Sequence, residues 1–162
     1  MWPFRSKQPN RPPASQKRAL SFLPPEQVGE FGQLPDEAIV GFFVGPEGHD
    51  NFEPNPVFVG LMHEAIQRIM PRSEEMRRDA AEQGDGWIYI IDARTPEGPN
   101  GRVPPEDIIG GFEAKDGSLS GNYWANAEHL LWSINGMVRL HDTVLQELAK
   151  TVRDRSSGAA RN

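Results

Sequence analysis

The chain has no cysteine, and that one absence removes disulfides, thiolate zinc sites and cysteine nucleophiles together. It fits a reducing compartment, so a cytoplasmic location is expected. No apolar run approaches the length of a membrane span, and "ALSFL" at 19–23 is too short for a signal-peptide core. Phosphate cradles are missing too: no glycine-rich loop ends in Lys-Ser or Lys-Thr, and no three-glycine dinucleotide fingerprint follows a strand pattern. "HEAIQ" at 63–67 begins like a helix-borne zinc motif, but Gln67 stands where a second histidine is required, so His63 and Glu64 hold no metal. "GSLSG" at 117–121 has Leu119 where a serine nucleophile would sit. Neither cofactor nor metal is expected.

Charge is unevenly spread. Residues 1–25 carry Arg5, Lys7, Arg11, Lys17 and Arg18 and no acid, while the other 137 of the 162 residues carry 12 basic and 23 acidic side chains. An acidic body repels phosphates, which argues against a nucleic-acid partner. The opening is also rich in proline and polar residues, which gives it little apolar surface to offset the entropy of ordering. Residues 1–20 therefore read as a flexible basic arm, 21–155 as one α+β domain and 156–162 as a disordered tail. Trp2 and Phe4 among those cations allow at most weak peripheral contact with a membrane.

One pattern occurs twice. "LPDEAIVGFFVGPEG" at 34–48 and "VPPEDIIGGFEAKDG" at 103–117 match in six of fifteen columns: Pro35/Pro104, Glu37/Glu106, Ile39/Ile108, Gly41/Gly110, Phe43/Phe112 and Gly48/Gly117. Roughly one match is expected by chance at ordinary amino-acid usage. With a two-residue insertion the likeness continues through Asn51/Asn122, Phe52/Tyr123 and Asn55/Asn126. It suggests an internal repeat over 34–70 and 103–140: two ββα units around a mostly antiparallel sheet of about five strands, helices packed on the sheet.

Local signals fill in the elements. "AIVGFFVG" at 38–45 reads as a buried strand. Asn55 and Pro56 cap and start a helix whose apolar stripe runs to Met70, and a second helix starts at Ser73 and stops at Gly84. "WIYIID" at 87–92 has the near-continuous apolar character of a central strand covered on both faces. A hairpin turn is expected at Lys115–Gly117, and Thr143 with Gln146 forms a capping box for the last helix.

The polar residues worth testing for catalysis are Asp92, Arg94, Glu106 and His129, with Asp107, His141 and Asp142 nearby in sequence. Asp92 at a strand end followed by Arg94 suits a general base with an electrostatic partner, and equally an ion pair that pins the loop after it. For binding, the aromatic and acidic residues Trp124, Tyr123, Phe52, Glu53 and Asp116 stand out. Aromatic anchors ringed by carboxylates suit a surface for a basic protein partner. The leading expectation is a non-enzymatic protein-binding domain. In general character, though in no motif, such a small, acidic, cysteine-free α+β domain resembles bacterial immunity proteins, which block basic toxin enzymes by covering their active sites. Two alternatives stand beside it: a small hydrolase or ligand-binding domain with a pocket between the repeat units, and a membrane-peripheral accessory protein of a secretion system held by its arm.

Overall fold

Asn55 begins the helix around which the core is built. Its side-chain oxygen accepts from the backbone N–H of Val57, and Pro56 occupies the first helical position, where its missing N–H is harmless. This helix, α2 (Pro56–Ile69), turns Phe58, Leu61, Met62, Ala65 and Ile66 inward. Phe58, Met62 and Ile66 lose all contact with solvent. Each such side chain contributes about 1.5–3 kcal/mol on burial.

This computed structural model describes residues 17–45 and 51–159, so the flexible arm expected at 1–20 and the disordered tail expected at 156–162 fall outside the described residues over 1–16 and 160–162; of the rest, 18–20 belong to a paired strand and 156–159 to the last helix. It is an α+β fold in one domain. Before α2 come β1 (Arg18–Ser21), the short α1 (Pro25–Val28), β2 (Ile39–Phe43) and β3 (Phe52–Pro54). After it come α3 (Glu74–Gln83), β4 (Gly86–Ile91), β5 (Ile108–Lys115), β6 (Ser118–Ala125), the small hairpin β7 (Trp132–Ser133) and β8 (Gly136–Met137), and finally α4 (Asp142–Ala159).

The described strands form three antiparallel sheets, β1-β2-β3, β4-β5-β6 and β7-β8, instead of the five-stranded sheet expected. In each three-stranded sheet the middle strand is entered through a 3-10 turn, Asp36–Ala38 or Pro105–Asp107, and an asparagine comes directly after the last strand. The two asparagines make matching bonds. Asn55 Nδ2 donates to the carbonyls of Asp36 and Ile39 and its N–H to Val40; Asn126 Nδ2 donates to the carbonyls of Pro105 and Ile108 and its N–H to Ile109. Beyond the asparagines the two stretches part. Asn55 opens α2, whereas after Asn126 the chain turns and forms β7 and β8, so no helix completes a second ββα unit.

β4 also departs from expectation. It is an outer strand, and β5 holds the centre; Trp87 and Tyr89 are exposed while Ile88 and Ile90 pack against the core. The apolar run hides a two-residue alternation between aromatic and aliphatic side chains. The helix expected to start at Ser73 begins at Glu74, with Ser73 capping it through Met76 N, and the start of α4 is capped by His141, not by a Thr143–Gln146 box. His141 Nδ1 lies 2.8 Å from Thr143 Oγ1 and accepts from Thr143 N.

Candidate functional site

Two places in the molecule concentrate chemistry: a buried charged cluster behind a cleft, and the outer face of the β4-β5-β6 sheet.

Asp92 directly follows β4, and its N–H donates to the carbonyl of Asp107 at 2.7 Å, which holds the strand end against the turn before β5. Its carboxylate has no solvent exposure. Oδ1 accepts from the backbone N–H groups of Arg94 (3.1 Å) and Arg139 (2.9 Å). Oδ2 faces Arg94 Nε at 3.3 Å and His129 Nε2 at 3.1 Å. Arg94 Nε is also 3.0 Å from Asp107 Oδ1. The remaining guanidinium N–H groups go to backbone carbonyls: Gly136 (2.7 Å) and Leu131 (3.3 Å) from Nη1, Glu106 (3.3 Å) and Leu130 from Nη2.

Arg94 thus ties the end of β4, the 105–107 turn and the β7-β8 hairpin together, with every donor used. A guanidinium in that state has nothing left to offer a substrate. Asp92 is equally occupied, by two backbone donors and two cation-capable side chains. The cluster is built as a buried clasp. Asp107 Oδ2 is its one oxygen without a hydrogen bond.

His129 connects the clasp to the outside. It lines a cleft of about 520 Å³ whose walls include Phe52, Val59, Met62, Leu130 and Trp132, with His63 on the other side. Since Nε2 is held by Asp92, Nδ1 is the nitrogen left without a protein hydrogen bond among the described residues. His63 Nδ1 is 2.7 Å from Tyr123 Oη. Burial, and secondarily the nearby His129, holds the His63 pKa below its ordinary 6.5, and burial pushes the Tyr123 phenol well above its ordinary value. Both groups are therefore neutral at pH 7. Among the described residues the cleft lining holds no serine, threonine, lysine, arginine or carboxylate, so any hydrolysis there would need water activated by an imidazole, that of His129 or His63.

The outer sheet face is of a different kind. Tyr89, Gly111 and Trp124 stand in one row across β4, β5 and β6, and Trp87 faces Glu113 in the next. Trp87, Tyr89 and Trp124 are 38%, 51% and 43% exposed. The Tyr89 and Trp124 rings meet edge-on with centroids 6.3 Å apart, and Tyr89 and Trp87 lean over Gly111, where an added Cβ would meet them at 3.3 and 3.4 Å. Glu113 accepts from Ser120 Oγ (2.8 Å) and Asn122 Nδ2 (3.1 Å), and these two bonds lower its pKa. The face therefore carries a carboxylate that stays ionised beside exposed aromatic rings.

Of the sequence candidates, the structure brings Asp92, Arg94, Asp107 and His129 together; Glu106 joins only through its carbonyl. His141 and Asp142 are exposed at the start of α4. Trp124 points outward and Tyr123 inward, where it covers Gly110 and touches Phe112. Phe52 is half-buried against Phe43, Glu53 is exposed on the other sheet and paired with Lys17 at 2.7 Å, and Asp116 sits in the β5-β6 turn. Trp87, Tyr89, Glu113 and His63 were not among the residues singled out for binding or catalysis. The first three were legible in the alternation of "WIYI" and in a hairpin that sets Glu113 opposite Trp87. The partner of His63 lies 60 residues away and leaves no local signal. Family models, curated proteins and solved structures contain no match to this chain.

Proposed function

We propose that this chain is a non-enzymatic protein-binding domain that receives a basic partner on the outer face of its β4-β5-β6 sheet. The observation that carries the reading is the grouping of Trp87, Tyr89 and Trp124 around Gly111 with the carboxylate of Glu113 in the same face. Large rigid rings supply contact area at low entropic cost, and a lysine or arginine from the partner can lie on a ring while pairing with the carboxylate. The acidic body steers such a partner inward. An inhibitor of the immunity type, covering a basic active site, fits this description. On the same reading the two three-stranded sheets are copies of one unit, and the second copy carries the binding face.

The test is a titration with hexa-arginine, read by NMR on the indole N–H signals of Trp87 and Trp124. The expected result is saturable shifts at both, lost at about 1 M salt where the Debye length is about 3 Å, and weakened at least about tenfold in Trp124→Ala with an unchanged unfolding midpoint. Indole signals that do not move, or an affinity unchanged in Trp124→Ala, would count against the face.

A second reading, a ligand pocket between the two sheets, is favoured by the Asp92-oriented imidazole of His129 in the wall of the apolar cleft. It predicts that an anilinonaphthalene sulfonate dye binds the folded protein and that Val59→Trp, which fills the cleft, displaces it. Dye binding that is absent, or indifferent to Val59→Trp, removes this reading.

A further inference from the structure

Natural sheets blunt their outer strands with prolines, charges or covering segments, because a bare edge recruits other strands. β4 has none of the first two: "GWIYII" holds neither proline nor charge. Among the described strands it pairs with β5 alone. Asp92 N–H points toward β5, to the Asp107 carbonyl, and the extra residue at the bulge lies on β5. Alternation along β4 therefore aims the backbone groups of Trp87, Tyr89 and Ile91 at the free edge. No described residue bonds to them.

A groove runs along that edge. One cavity of about 540 Å³ reaches down to Ile66, Met70, Met76 and Ile109, and an adjoining one of about 490 Å³ lies at the Trp87 end. Ile88, Tyr89, Ile91, Pro99 and Asn100 line both. The walls carry the carboxylates of Glu75, Asp79 and Glu82, and among the described residues no lysine or arginine lines either cavity. The edge thus offers three things at once: free main-chain donors and acceptors, an apolar depression continuous with the core, and carboxylates with no described lysine or arginine beside them.

We propose that β4 accepts a fourth strand, an extended basic segment of the partner that places apolar side chains in the depression and lysines or arginines against the carboxylates. This rests on the protein-binding reading and specifies how the partner engages. Main-chain pairing supplies affinity and alternate side chains supply selection.

The probe is a hexapeptide of alternating valine and lysine, compared with its valine–glutamate counterpart and with a copy N-methylated at every residue. With the intact chain, the lysine peptide should slow amide exchange at Trp87, Tyr89 and Ile91; the glutamate peptide should not bind. The N-methylated copy should bind at least about tenfold more weakly, since it keeps side chains and charge but has no N–H to donate. Tyr89→Pro, which removes one outward N–H, should weaken the unmodified peptide similarly, and the N-methylated copy carries the test if that variant does not fold. Binding that survives N-methylation yet is lost in Trp124→Ala overturns strand addition and leaves the aromatic face standing. No change in exchange along β4 with any basic peptide also overturns it.

Discussion

The β1-β2-β3 and β4-β5-β6 sheets are alike on the inside and unlike on the outside. On the inner face Gly41 lies under the ring of Phe52 and Gly110 under that of Tyr123; Phe43 and Phe112 come two residues later as core anchors. Each middle strand has the same bulged pairing with its first neighbour, and each last strand is followed by an asparagine locked to the 3-10 turn. On the outer face the corresponding rows are Ala19–Phe42–Glu53 and Tyr89–Gly111–Trp124. Bulk sits in the middle of the first row and at both ends of the second. The interior is constrained by close packing and buried carbonyls, which only a few residue types satisfy. The exterior is free of those demands, and there the second sheet carries its rings.

The largest expected break in this comparison is at the end of the first strand of each sheet. In the first sheet Phe22 follows β1 and packs on Phe58 with centroids 5.6 Å apart; in the second, Asp92 takes the same place and anchors the clasp. Asp92→Ala leaves Arg94 buried beside Asp107 alone and two backbone N–H groups without their acceptor. A loss of about 3–5 kcal/mol in urea unfolding is expected. A loss below about 1 kcal/mol would show that the clasp is not structural and would return Asp92 and His129 to the catalytic reading.

A smaller effect tests the likeness of the inner faces. A Cβ on Gly41 would sit 2.3 Å from the Phe52 ring and 2.4 Å from the Glu53 carbonyl; one on Gly110 would sit 2.5 Å from both the Trp124 carbonyl and Tyr123 Oη. Gly41→Ala and Gly110→Ala should each cost about 1–3 kcal/mol, by the same amount within experimental scatter, because each forces an aromatic ring and a neighbouring backbone apart. A large cost at one glycine and none at the other would mean that the two sheets are only superficially alike.

Much of this fold is written locally. The helix start at Asn55-Pro56, the Ser73 cap and the Asp116-Gly117 turn depend on residues within a few positions of one another, so their signals survive in sequence. The matching columns point to the two asparagines, although not to which carbonyls they bind. The features that stay hidden are set by distant partners. β4 is misplaced by its sequence pattern because an unbroken apolar run looks the same whether its second face is covered or bears exposed rings. The missing helix after Asn126 depends on Arg94 and Asp92 fastening the β7-β8 hairpin in that space. His63, in the wall of the cleft, and Tyr123, to which it is joined, belong to elements that only tertiary packing brings together.

The smallest effect concerns that last pair, which has a counterpart only in part: Phe52 occupies in the first sheet the place of Tyr123 in the second and has no hydroxyl to offer a histidine. The folded-state pKa of His63 lies below 6.5 because burial penalises its charged form. The unfolded chain therefore binds the proton more readily, and stability must fall where it does so. The contribution of His63 is complete above about pH 6.5, declines as pH falls from there toward the lowered folded-state value, and is level below it. Tyr123 stays protonated throughout that window. Urea midpoints measured from pH 7.5 down to pH 5 should fall more steeply in the native chain than in His63→Gln, whose amide can still reach Tyr123 and carries no titrating proton. Parallel curves for the two would show that His63 is solvated in solution, and with it that the cleft beside His129 is wetter and more open than its apolar walls imply.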